Sequence, residues 1–171
     1  VGLELGLFNA LNIEAAYFTE DRTGIFMRRT SLPSSTGLLG VTPYGNIGRV
    51  KSHGVDLSAV YNKQFNKDWS LSLRGTFSFS RNEVVEKDEG DLMYDYMSVV
   101  GHPVNAITGV LVADGLFTSQ EEIDNSPKQQ FGNYTVGDIK YRDLNGDGIV
   151  DGNDVTTAGS PTVPEIQYGI G

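Results

Sequence analysis

The sequence predicts an all-β fold built from antiparallel strands. Apolar and polar residues alternate along several stretches, which is the period of a strand with two chemically different faces. Short connections alternate with long ones, and no run of about 18 apolar residues predicts a transmembrane helix. The alternation itself fits two architectures, the wall of a transmembrane β-barrel and a soluble β-sandwich.

Five strands are expected, at about residues 1–8, 12–26, 47–62, 68–84 and 164–171. The fourth is the clearest: from Trp69 to Phe79 the odd positions are mostly large and apolar, whereas from Ser70 to Ser80 the even positions are polar. The same period appears in Val1 to Leu7, Ile13 to Tyr17, Val55 to Tyr61 and Ile166 to Ile170.

The connections between these strands are unequal. Short turns near residues 9–12 and 62–68 join strands one to two and three to four, whereas a Gly/Pro/Ser-rich loop over about residues 27–46 separates strands two and three. About 80 residues separate strands four and five, so an insert is expected at about residues 85–161. Short turns at one end and long loops at the other favour the barrel over the sandwich.

The insert contains one helix signal and is otherwise expected to be partly irregular. Residues 118–124 resemble a helix start, with Ser119 as N-cap and Glu122 three residues later as the second member of a capping box. Pro127 follows shortly afterwards, so the helix should be short.

A calcium-type loop is predicted near the end of the insert. Oxygen-bearing side chains stand at positions 1, 3, 5, 9 and 12 of a twelve-residue stretch with glycine at position 6, the spacing of an EF-hand-type loop. The predicted Ca²⁺ ligands are Asp143, Asn145, Asp147, the main-chain carbonyl of Ile149, Asp151 and Asp154. Its flanks lack helical periodicity, so the scaffold should be β or irregular, and an ordinary Asx-rich turn is the alternative.

Charge and composition exclude several classes of protein. Residues 82–160 contain 15 acidic residues and four basic ones, which argues against nucleic-acid binding. The chain has no cysteine, so disulfides and thiol catalysis are excluded. No catalytic constellation is present and no enzyme is expected. A signal peptide is absent and both ends fall inside alternating segments, so a piece of a longer protein is expected.

Several stretches resemble the SusC/RagA-type TonB-dependent outer-membrane transporters of Bacteroidetes. They extend along nearly the whole chain and cover residues 1–8, 17–25, 46–56, 114–119, 121–123 and 137–148, followed by Gly159, Pro161, Pro164 and Tyr168-Gly169. The resemblance implies a fragment of a transmembrane β-barrel, toward the C-terminal half of a protein that also has a plug. It implies an outer-membrane location in contact with lipid, an extracellular insert, and a SusD-like lipoprotein and TonB as partners.

Such transporters import glycans, peptides or other nutrients. Ca²⁺ would then order the acidic external loop. The alternative is a secreted, calcium-stabilised β-module for adhesion or carbohydrate binding.

Overall fold

A computed structural model describes residues 1–32 and 43–171, so part of the predicted 27–46 loop, residues 33–42, lies outside the described residues. Strands predominate in these two ranges. The elements are β1 (Gly2–Leu7), β2 (Leu11–Arg28), β3 (Tyr44–Gln64), β4 (Ser70–Glu86), β5 (Ala113–Leu116), α1 (Gln120–Asp124), β6 (Lys128–Gln129), β7 (Ile139–Tyr141), β8 (Ile149–Val150) and β9 (Ile166–Ile170).

The main sheet is antiparallel and has the order β1-β2-β3-β4-β9. The predicted all-β antiparallel fold with a short helix is therefore confirmed. Within the described residues β1 and β9 do not pair with each other, so this sheet is open at both edges. Residues 87–165, between β4 and β9, are called the insert below.

Strands β2 and β3 extend into the region predicted as a loop. Their register runs without interruption from Leu11 opposite Tyr61 to Arg22 opposite Val50, and continues past two register shifts, on either side of Ile25, to Arg28 opposite Tyr44. Pairing therefore continues well beyond the alternating apolar segments on which the strand prediction depended.

The two short turns are closed by local polar contacts. Phe8 and Asn9 both have positive φ, 55° and 49°, and the Ala10 amide donates to the Leu7 carbonyl at 3.1 Å, which closes a three-residue turn between the paired residues Leu7 and Leu11. In the other turn the Asn66 side chain accepts hydrogen bonds from the amides of Asp68 and Trp69, at 2.9 and 2.8 Å.

Helix α1 begins where the sequence predicts. The Ser119 hydroxyl accepts a hydrogen bond from the Glu122 amide at 3.2 Å, which confirms Ser119 as the N-cap. Glu122 does not complete the expected capping box, because its carboxylate accepts from the amide of Thr118 at 2.9 Å instead of that of Ser119.

Most of the buried core lies in the insert, and Val84 of β4 is the one buried hydrophobic residue of the main sheet among the described residues. Phe117, Val150 and Asp154 are the largest fully buried side chains of the described residues, and the Phe117 ring stacks on Tyr134 with centroids 5.5 Å apart. In contrast, Leu3, Leu73 and Tyr168 on the sheet are 58%, 48% and 80% exposed. No helix among the described residues is long and apolar enough to cross a membrane.

Candidate functional site

The sheet presents one apolar and one polar face, and the register aligns both across neighbouring strands. One apolar row joins Leu3, Ala15, Leu57, Phe77 and Tyr168 across all five strands of the sheet. This row and its neighbours remain exposed because, within the described residues, no second sheet packs on them. A β-sandwich would bury such a face against a second sheet.

The polar face carries small and charged side chains in equally continuous rows. One row joins Ala16, Asp56, Ser78 and Gln167, and the Ser78 hydroxyl donates to the Asp56 carboxylate at 2.5 Å. The next row joins Glu14, Ser58 and Thr76. This face can line an aqueous space.

The apolar face ends at a defined row. Tyr17, Val55 and Phe79 form its last continuous apolar row, and charged or polar side chains occupy the next two rows on that face. There Arg49 forms a bidentate ion pair with Asp21, at 2.9 and 2.6 Å, and Arg81 forms another with Glu165, at 2.8 and 2.7 Å. Strands of 17 to 21 residues exceed the roughly 9–11 that cross a bilayer, so β2, β3 and β4 continue past this boundary.

The insert is attached to the sheet at the charged end. The Val84 amide donates to the His102 carbonyl at 2.9 Å, and the Val104 amide donates to the Asn82 side chain at 2.7 Å. Farther along, the Asp88 carboxylate accepts from the Ser31 amide at 2.8 Å and from its hydroxyl at 3.0 Å. Burial raises the pKa of Asp88, but its hydrogen bonds from Ser31, Gly90 and Thr30 outweigh this effect and hold the pKa below its ordinary value.

A cavity of about 630 Å³ lies between the insert and the polar face. Two consecutive rows of the sheet form its floor: Glu20, Ser52 and Asn82, and then Arg22, Val50 and Val84. The insert contributes the opposite wall, which includes Val99, Pro103, Val104 and Ala106.

Sequence reasoning did not identify this cavity. A signal was present, since Val50 and Val84 are apolar residues at positions that should be polar by the period of their strands. The insert residues that face them lie up to 58 positions away in the chain, and no local pattern indicates that they meet.

The predicted calcium ligands occupy a loop rich in Asx turns. The two carboxylate oxygens of Asp143 accept from the amides of Gly146 and Gly148, at 2.6 and 2.8 Å. The Asn145 and Asp147 side chains each accept from the amide two residues ahead, at 2.9 and 2.8 Å. Gly146 and Gly148 have φ of 76° and 86°, a conformation that favours glycine.

The second half of the loop is a single turn of 3₁₀ helix at Gly152–Asp154. Asp154 is fully buried, and its carboxylate accepts from the amides of Leu144, Asn145 and Asp151 at 2.7, 3.3 and 2.8 Å. The Asp151 carboxylate accepts from the Asn153 amide at 2.7 Å, and Ile149 lies in β8.

The structure therefore places the ligand types predicted for Ca²⁺ in one loop but does not bring them to one centre. Among the described His, Cys, Asp and Glu residues, no group of three or more is arranged to hold a metal ion. The donor chemistry still fits Ca²⁺, because a carboxylate oxygen that accepts one hydrogen bond retains a second acceptor position.

Comparisons with known proteins agree with this architecture. The family model described as TonB dependent receptor-like, beta-barrel matches residues 1–164. TonB-dependent receptor P26 of Formosa agariphila is 28% identical over 99% of this chain and 18% of its own length. TonB-dependent receptor P3 of the same organism is 25% identical, with the same coverage. The chain thus spans about 18% of the length of these curated relatives.

Solved structures show the same fold. The structure of the RagAB peptide transporter matches with a TM-score of 0.66 at 20% identity, over 99% of this chain and 18% of that chain. The RagAB peptide importer in the 'closed-closed' state matches with a TM-score of 0.58 at 19% identity and the same coverage.

Proposed function

Because the chain belongs to the TonB-dependent receptor-like β-barrel family, we propose that it forms part of the wall of an outer-membrane transporter that imports nutrients. The observation that carries this proposal is the long-stranded sheet with an uncovered apolar face that ends at a charged row. Lipid would cover the apolar face, and the polar face would line the lumen. The protein would act as a transporter and not as an enzyme.

The insert lies on the extracellular side in this proposal. The strands continue past the apolar rows at the insert end, and the connections at the opposite end are short turns. Outer-membrane barrels have short periplasmic turns and longer extracellular loops, which is the same asymmetry.

The complete transporter would work with a SusD-like lipoprotein and with TonB, and would take up glycans or other nutrients such as peptides. Support for these partners comes from the family and from the likeness of the fold to that of RagAB, which is named as a peptide transporter. TonB-dependent uptake by cells with and without the full-length gene tests the activity. Equal uptake of maltooligosaccharides and of short peptides by both cell types would contradict it.

The orientation is tested by cysteine labelling of the full-length protein in a background without other cysteines. Gln130→Cys in the insert should react with a membrane-impermeant maleimide on intact cells. Lys67→Cys, in the turn between β3 and β4, should react only after the outer membrane is permeabilised. Labelling of Lys67→Cys on intact cells would show that the proposed orientation is wrong.

We also propose that the loop from Asp143 to Asp154 binds Ca²⁺ and is ordered by it. The ligand spacing and the number of carboxylates in the loop support this proposal. In addition, none of the ion pairs among the described residues involves an acid of this loop. A cation would neutralise the repulsion between these acids, and Asp143, Asn145, Asp147 and Asp151 would have to turn toward it.

Calorimetric titration of the full-length transporter with Ca²⁺, followed by thermal unfolding with EGTA, tests the calcium proposal. Asp143→Ala combined with Asp147→Ala should abolish the binding heat. Asp91→Ala combined with Glu121→Ala removes the same charge from exposed insert positions outside the loop and should preserve it. Absence of heat in the unsubstituted protein, with no EGTA-sensitive change in melting temperature, would refute the proposal.

A further inference from the structure

We propose that the cavity between the insert and the polar face binds an aliphatic side chain of a peptide substrate, and that peptides rather than unmodified glycans are the substrate class. This inference rests on the proposed transport function, because that function places the polar face toward the lumen. The composition of the cavity wall and the attachment of the insert to the sheet support this assignment.

The cavity has the size of a ligand site. Its volume of about 630 Å³ lies within the range of roughly 300–1,000 Å³ that small-molecule pockets occupy. The side chain of a leucine or valine fills only part of such a space, so a short stretch of an extended ligand can be accommodated.

The apolar part of the wall is aliphatic. Ile25, Met27, Val50 and Val84 line it from the sheet, and Val99 and Val104 line it from the insert. Among the described lining residues there is no phenylalanine, tyrosine or tryptophan. The apolar face of a sugar ring is usually held against an aromatic ring, whereas a branched aliphatic side chain gains most from contact with other aliphatic groups.

Polar groups on the same floor match the main chain of a peptide. The guanidinium of Arg22 is a donor, although it is held by Glu20 at 2.8 Å, and the Ser52 and Ser80 hydroxyls can donate and accept. A peptide main chain presents alternating donors and acceptors between its side chains, and a few polar groups around an apolar space can fix its position.

The two walls are held together at a defined distance. The Val104 amide donates to Asn82 at 2.7 Å, and the Val84 main chain bonds to Gly101 and His102 at 2.8 and 2.9 Å. The insert segment that lines the cavity is thus attached to the sheet beside it, so the cavity does not depend on distant contacts.

The test uses the full-length transporter in outer-membrane vesicles, with two short peptides as probes that differ only by leucine or serine at one central position. Unsubstituted transporter should bind the leucine peptide about tenfold more tightly, and maltohexaose should not compete. Val104→Trp occupies part of the cavity beside its aliphatic wall and should reduce this preference. Val163→Trp is the control, since Val163 is also in the insert and is 51% exposed, against 52% for Val104, but does not line the cavity.

A second variant tests the proposal even if Val104→Trp fails to fold. Val50→Thr keeps the shape of the floor but adds a hydroxyl, and should reduce the leucine preference severalfold while the transporter still reaches the membrane. An unchanged preference in both Val104→Trp and Val50→Thr, or competition by maltohexaose, would overturn the assignment of the cavity. A transporter that takes up no nutrient of any class would instead contradict the proposed transport function itself.

Discussion

The ring of Phe18 lies against Gly54 across the β2–β3 pair, on the polar face of the sheet. A Cβ atom at position 54 would stand 2.3 Å from Cζ of that ring and 2.4 Å from the main-chain oxygen of Phe79. A large ring is tolerated on this face because glycine has no side chain there.

Gly54→Ala should therefore destabilise the barrel wall, by about 1–3 kcal/mol. The ring of Phe18 could rotate away, but the Phe79 oxygen belongs to the backbone of β4 and could move only by disturbing the strand pairing. Denaturant unfolding of the full-length protein in detergent measures the effect. Gly75→Ala in β4 is the control, since a Cβ atom at position 75 would have no neighbour within 4 Å, and equal midpoints for the two variants would contradict the expectation.

The side chain of Gln129 joins the two small sheets of the insert. Its amide nitrogen donates to the Ile139 carbonyl at 3.2 Å, and its oxygen accepts from the Tyr141 amide at 2.7 Å, so it pairs with β7 as a strand would. Gln129→Leu should lower the stability of the insert by about 1–3 kcal/mol, because the Ile139 carbonyl and the Tyr141 amide lose their hydrogen-bond partner.

Hydrogen exchange of residues 139–141 in the full-length protein checks the Gln129 prediction. Gln130→Leu introduces the same side chain at the adjacent exposed position and should leave the exchange of β7 unchanged. Equal protection in the two variants would show that the Gln129 contacts contribute little.

Glu122 should make the stability of the insert depend on pH. Hydrogen bonds from the Thr118 amide, from Lys140 and from the Thr118 hydroxyl lower the pKa of Glu122 to about 2. Since this pKa is lower in the folded state than the ordinary 4.5, the stabilisation is complete above pH 4.5 and is lost as the pH falls toward 2.

Protection of residues 118–124 from hydrogen exchange, measured across that pH range, tests the Glu122 prediction. Glu122→Gln should reduce protection at neutral pH and flatten the pH dependence. Glu121→Gln is the control, since Glu121 is exposed and its side chain forms no hydrogen bond among the described residues. A pH profile of Glu122→Gln that matches the unsubstituted protein would contradict the assignment.

Tyr96 connects the loop at Asp143–Asp154 to the start of the insert. Its hydroxyl donates to the Asn153 carbonyl at 2.6 Å, and burial, then Tyr94 and the carboxylates of Asp154, Asp143 and Asp147, raise its pKa. Tyr96→Phe should lower the stability of this loop by about 1 kcal/mol and increase hydrogen exchange at residues 151–154. Tyr94→Phe should have the smaller effect, because the Tyr94 hydroxyl accepts only a long hydrogen bond, 3.4 Å, from the side-chain amide of Asn145. A larger increase in exchange for Tyr94→Phe than for Tyr96→Phe would refute this interpretation.

Local patterns predicted much of the wall and little of the cavity. The alternation from Trp69 to Ser80 anticipated a strand with one apolar and one polar face, and Ser119 anticipated the start of α1. The extension of β2 to Arg28 and of β3 to Tyr44 was not anticipated, because pairing there no longer follows an apolar period. The spacing of the calcium-type loop predicted that the Asp154 carboxylate binds a cation. It did not predict that this carboxylate accepts hydrogen bonds from the amides of Leu144 and Asn145.

The antiparallel β class and the chemistry of the two faces of the sheet could be read from the residues alone. Both follow from a period of two residues, which is a local property of extended backbone. That Val104 and Val50 line the same space, in a cavity between the insert and the polar face, became known only from the folded structure. Those contacts depend on the path of the insert back across β4, and this path results from the sum of many weak contacts between residues far apart in the chain.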